Sequence, residues 1–165
     1  MKTHYSLAGL LLLGIAMTAS ASQSVRFGSG RAAAPLPDSF KVAVSGDDLA
    51  ATFGPEGDHT LEISFLADLT EPGAPKNLAV DFVKAQAKKR GVDVQSDGER
   101  AVLTEPGVKE SRGGKVFQSM HWQIGVGNCV FTMTLTAPLP MSKELDEFFG
   151  APLHSIVNEL SCSAP

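Results

Sequence analysis

Cysteine is nearly missing from this chain: of 165 residues only Cys129 and Cys162 carry a thiol. A metal site would need more ligands at short spacing, and two cysteines permit a single disulfide connectivity. Long hydrophobic runs are missing too. The most apolar stretch, Leu7 to Met17, falls well short of the ~20 residues a bilayer-spanning helix requires. There is no H-E-x-x-H helix, no P-loop and no dinucleotide-binding glycine fingerprint. The stretch Phe27 to Arg31, FGSGR, lacks the strand-to-helix context of a serine elbow, so nucleophilic hydrolysis has no signature either. Positive charge is scarce, with 14 Lys and Arg against 18 Asp and Glu, and Lys88 to Arg90 is the one basic cluster. A mildly acidic chain repels phosphates, which excludes nucleic acid and anionic membrane surfaces as partners.

What is present begins with a targeting pattern. Lys2 precedes the apolar run, and Ala19 and Ala21 supply the small residues of an A-x-A cleavage site. Residues 1–21 are therefore expected to be a signal peptide cleaved after Ala21, directing the chain to the periplasm with no membrane insertion afterwards. No cysteine follows the run to take a lipid anchor. The remaining 144 residues hold 13 Lys and Arg against 18 Asp and Glu, a net charge of −5 and one domain's length. In an oxidising compartment Cys129 and Cys162 are expected to pair. Closing that 34-residue loop would restrict the unfolded chain by roughly 3.5–4 kcal/mol on a chain-entropy account.

Residues 22–38, rich in Ser, Gly, Ala and Pro without periodicity, read as a flexible leader, and residues 39–165 as one α+β domain. In that domain FKVAVS and LAATF flank Gly46-Asp47-Asp48 as a hairpin. His59 to Leu66 alternates, with Leu61, Ile63 and Phe65 on one face. From Lys76 to Arg90 the period becomes helical, with Leu78, Phe82 and Ala85 beside Ala79, Val83 and Ala87, and Gly91 as the stop. A meander follows: Glu99 to Thr104, a turn at Glu105-Pro106-Gly107, then Lys115 to Gly125 and Cys129 to Thr136. Cys129, Phe131, Met133 and Leu135 share the inward row. Leu145, Phe148, Phe149, Leu153, Ile156, Val157 and Leu160 recur at helical spacing as its cover, with Ser142 as cap and a break near Pro152.

A strand from Cys129 to Thr136 rises about 23 Å, and a helical return from Ser142 to Ser161 covers roughly 28 Å. Cys162 thus comes back beside Cys129, provided the helix unwinds by about residue 161.

The order of elements, carried by HTLEISFL, KNLAVDFVKAQAKKRG, the KVFQSMHWQIG and CVFTMTLTAP strands and ELDEFFGAPLHSIVNEL, resembles the PsbP-like family, which includes envelope proteins of the DcrB type. The resemblance spans Phe40 to Cys162. It implies an antiparallel meander with helices packed on it, an α/β/α sandwich used for protein association and assembly without catalysis. The bridge is read from the two cysteines and not from the resemblance.

Candidate chemistry is thin. Glu56, Asp58 and His59 could offer donors to a cation, but match no metal motif and read as a solvated turn. His121 shares a strand face with Phe117 and Gln123 and suits either an interaction hot spot or a general base. His154 lies on the terminal helix, and Asp47-Asp48 and Asp146-Glu147 are explained by a turn and a helix start. The expectation is a periplasmic, non-enzymatic protein-binding domain with no cofactor and no metal. Asp47, Asp48, Glu56, Asp58, His59, Phe117 and His121 would be its contact residues. An immunity protein against a secreted toxin is the sharpest form. An envelope assembly factor is one alternative, and a small enzyme using His121 or His59 the other.

Overall fold

A computed structural model describes residues 22–71 and 73–163, so the expected signal peptide lies outside the described residues. Ten strands and three helices follow one another as β1 (Ser22–Phe27), β2 (Ala32–Pro37), β3 (Lys41–Ser45), β4 (Asp48–Phe53), β5 (His59–Asp68), α1 (Leu78–Arg90), β6 (Val94–Ser96), β7 (Arg100–Arg112), β8 (Lys115–Val126), β9 (Cys129–Leu139), α2 (Lys143–Phe148), α3 (Ala151–Glu159) and β10 (Ser161–Cys162). Seven strands form one antiparallel sheet in the order β3-β4-β5-β9-β8-β7-β6, and β1, β2 and β10 form a second in the order β1-β2-β10. The α+β class and the antiparallel meander expected from the sequence are both present.

The central strands are central because their inward rows are continuous and apolar. Leu61 and Ile63 of β5 pair with Leu135 and Met133 of β9, which pair with Met120 and Trp122 of β8. All of these but the half-buried Met120 are sealed from solvent. Each such side chain contributes about 1.5–3 kcal/mol relative to exposure.

The cover of that row corrects one expectation. Residues 22–38 are not a flexible leader: β1 and β2 form a hairpin, and β10 adds to β2 through Ser161 opposite Ala33 and Cys162 opposite Ala32. Phe27, Ala32, Ala34 and Leu36 are at most 2% exposed. The alternation that buries them is real, but alanine carries it at two of four positions, so it is faint in the sequence. The folded domain therefore starts at Ser22 among the described residues.

Helices α2 and α3 complete this layer as two short pieces. Ser142 accepts a hydrogen bond from the Leu145 amide at 3.1 Å, as an N-cap should, and Pro152 sits in the first turn of α3. Helix α3 ends at Glu159, and the chain turns extended in time for Cys162 to bridge Cys129 across a Cα separation of 6.2 Å.

Helix α1 covers part of the opposite face. Its buried side is Ala79, Val80, Val83 and Ala87 against Ala101 and Leu103 of β7. The stripe of Leu78, Phe82 and Ala85 expected from the sequence is not buried, and Phe82 is 39% exposed. Small residues win because α1 lies directly on the sheet: a Cβ on Gly125 would overlap the backbone carbonyl of Ala79. The expected turn at Glu105-Pro106-Gly107 is also absent. β7 runs through it, absorbing Pro106 and Gly107 in a bulge whose Val108 amide donates to the Ser119 hydroxyl at 3.0 Å.

Candidate functional site

Strand register sorts the sequence-nominated residues into two groups. Asp48 stands opposite Ser64, whereas Phe53 stands opposite His59, five residues and about 17 Å further along the pair. Asp47 and Asp48 therefore lie at the end of the sheet that holds Cys129, itself opposite Asp68 and Val126. Glu56, Asp58, His59 and Phe117 gather at the other end, with His121 a short way in. The two histidines do not converge. His59 continues the core-facing row of Leu61 and Ile63, while His121 faces away from that core beside Thr134. No single bound group could be served by both.

His59 is buried at 1% exposure. Its Nε2 meets the Ser142 hydroxyl at 3.0 Å, and Asp58 Oδ1 approaches its Nδ1 at 2.9 Å. Acid, imidazole and hydroxyl thus stand in the order of a relay, but two features remove the chemistry. The Asp58 contact is close without being aligned as a hydrogen bond, and the serine oxygen is already fixed as the cap of α2. Gly54, at φ +86°, packs so tightly on the imidazole that any side chain there would collide with it. His59 reads as a structural strut joining the β4–β5 loop to α2.

Around it the loop is charged. Lys115, at the tip of β8, donates to Glu56 at 3.0 Å and lies 3.9 Å from Asp58. The hydrogen bond and charge of Glu56, with Asp58 behind them, raise the Lys115 ammonium above its ordinary pKa. On the far face His121 Nδ1 contacts Thr134 Oγ1 at 3.0 Å and Nε2 contacts Ser119 Oγ at 3.3 Å. Phe117 stacks under the Arg112 guanidinium at 5.8 Å, and a shallow cavity of about 200 Å³ opens between them. Glu105 stands opposite His121 on β7 but pairs with Arg90, and among the described residues no carboxylate hydrogen-bonds to the imidazole. Among the described residues no three His, Cys, Asp or Glu side chains converge as a metal site would require.

A further feature of this end was not nominated from the sequence. A groove of about 1030 Å³ runs between the β1–β2 hairpin, the β4–β5 loop and helices α2 and α3. Its floor is aromatic. Phe40 and Phe53 stack with ring centres 4.4 Å apart, and Phe148 lies 5.1 Å from Phe53. Its rim carries Glu56, Glu144 and Glu147. The Glu144 carboxyl is held below its ordinary pKa, first by its own backbone amide, then by the Ser142 hydroxyl, with smaller help from His59 and Lys143. No local pattern announces the groove, because its lining comes from four separate segments of the chain.

No family model matches the sequence, and no curated protein matches it. Solved structures do. A protein from Bacteroides thetaiotaomicron VPI-5482 matches with a TM-score of 0.62 at 12% identity, over 86% of this chain and 48% of that one, so this chain spans about half its length. Cyanobacterial PsbP (CyanoP) from Synechocystis sp. PCC 6803 matches with a TM-score of 0.37 at 15% identity, over 90% of this chain and 96% of that one. LpqN of Mycobacterium tuberculosis, described as involved in cell envelope biogenesis, matches with a TM-score of 0.43 at 14% identity, over 87% and 91%. At such identities the likeness concerns the fold alone. The antiparallel meander with helices packed on it, expected from the sequence, is the architecture observed.

Proposed function

We propose that this chain is an exported, non-enzymatic accessory domain of the cell envelope that holds a protein partner at the end carrying Glu56, Asp58, Phe117 and the aromatic groove. The groove is the observation that carries the reading: a large apolar concavity with a charged rim is the usual anatomy of a recognition site. The signal-like amino terminus supports export. Against an enzymatic reading, His59 is spent on holding α2, and His121 has hydroxyl partners where an orienting carboxylate would be needed. An immunity factor is the sharper form of the same proposal, since an acidic rim suits a basic toxin cleft; a secreted toxin encoded beside this gene would favour it.

The test is capture from an envelope extract with the oxidised protein as bait. Glu56→Lys with Phe117→Ala is expected to lose the captured protein, and Asp47→Asn with Asp48→Asn to retain it. The opposite pattern, or no saturable partner for the unaltered bait, contradicts the proposal.

A further inference from the structure

We infer that the groove takes a short basic, apolar segment of polypeptide, an inference that rests on the partner-binding reading and names its ligand chemistry. The floor selects for apolar side chains. Phe40, Phe53 and Phe148 are each less than 9% exposed and locked in the core, so the surface they offer is already formed before anything binds. The rim selects for positive charge, because Glu56 of the β4–β5 loop and Glu144 and Glu147 of α2 line it, while Lys41 is the one cation lining it among the described residues.

The cations that meet these carboxylates are replaceable. Lys115 pairs with Glu56 and Lys143 with Glu147, but their side chains are 54% and 85% exposed and both stand outside the groove. Exposed pairs of this kind contribute little to stability, so an arriving Lys or Arg can exchange for them at little cost. Among the described residues no cation is in hydrogen-bond contact with Glu144, and its backbone and Ser142 contacts favour its ionised form. Size argues for a peptide over a small amphiphile, since about 1030 Å³ stands at the top of the ~300–1,000 Å³ range of enclosed small-molecule sites.

The probe is a fluorescein-labelled peptide of four Leu-Arg-Pro repeats, compared by fluorescence anisotropy with its Leu-Glu-Pro counterpart and with dodecylamine as competitor. The arginine peptide is expected to bind saturably and the glutamate peptide not. Glu144→Gln with Glu147→Gln should weaken binding by about 2- to 30-fold while the variant stays folded by circular dichroism, and His121→Ala should leave binding unaltered. Equal binding of both peptides, binding of neither, or saturable binding of dodecylamine alone overturns the inference. If the arginine peptide fails while the bait still captures its envelope partner, only the groove assignment falls. If the peptide binds and capture fails, the accessory-domain reading falls and the groove stands.

Discussion

The two ends of the sandwich are built on opposite plans. At the Cys129 end almost every passing segment is tied to another. The disulfide joins β9 to β10, Arg31 pairs with Asp68, and the Asn128 side chain accepts from the Leu78 amide at the start of α1 at 2.9 Å. Arg100 of β7 donates to the carbonyls of Val157 and Leu160, satisfying the orphan acceptors at the end of α3. At the Glu56 end the buried His59–Ser142 contact is joined by exposed ion pairs, and a groove opens instead of a seam. One end supplies rigidity, which leaves the other free to present a surface.

That contrast can be broken most severely at the bridge. Replacing Cys129 and Cys162 with serine should lower unfolding stability by about 2–4 kcal/mol, read from the denaturant midpoint. A serine variant as stable as the oxidised protein would show that the bridge does not lace that end. Next in size is Arg100→Ala, which strands two helix-end carbonyls and should cost about 1.5–3 kcal/mol. Burial lowers the Arg100 pKa while Asp97 opposes it, so the loss should be smaller in Asp97→Asn than in Arg100→Ala.

The smallest effect compares one carboxylate from each end. Asp97 is held down by the backbone amides of Glu99 and Arg100, and Glu144 by its own amide and Ser142. Both folded-state pKa values are depressed, so their contributions are present above the unfolded values of about 3.9 and 4.3 and are lost as pH falls through the folded ones. Stability should decline from about pH 5 downward, and Asp97→Asn or Glu144→Gln should each flatten the slope. A slope unchanged in both variants would place acid sensitivity elsewhere.

Local patterns announced much of this architecture. The alternation of β5 and β9, the Ser142 cap, the Gly91 stop, the helix break near Pro152 and the bridge were all legible, because each rests on residues close in sequence or on a connectivity with one solution. The β1–β2 hairpin was not. Half of its inward residues are alanine, and the elements that bury it, α3 and β10, lie more than a hundred residues away. Pro106 and Gly107 have turn chemistry, but the long pairing of β7 with β8 overrides it with a bulge. Of the nominated contact residues, Glu56 and Asp58 fell at the groove end and Asp47 and Asp48 at the far end, since a sequence shows which turns are acidic but not which end of a sheet they share.

Amide hydrogen exchange on the oxidised protein, alone and with its captured envelope partner, tests the central claim most directly. Slowed exchange confined to residues 35–41, 52–58, 115–119 and 143–155, with none at the Gly46–Asp48 turn, is the result this account predicts. Protection of the Gly46–Asp48 turn with those four segments unchanged would contradict it.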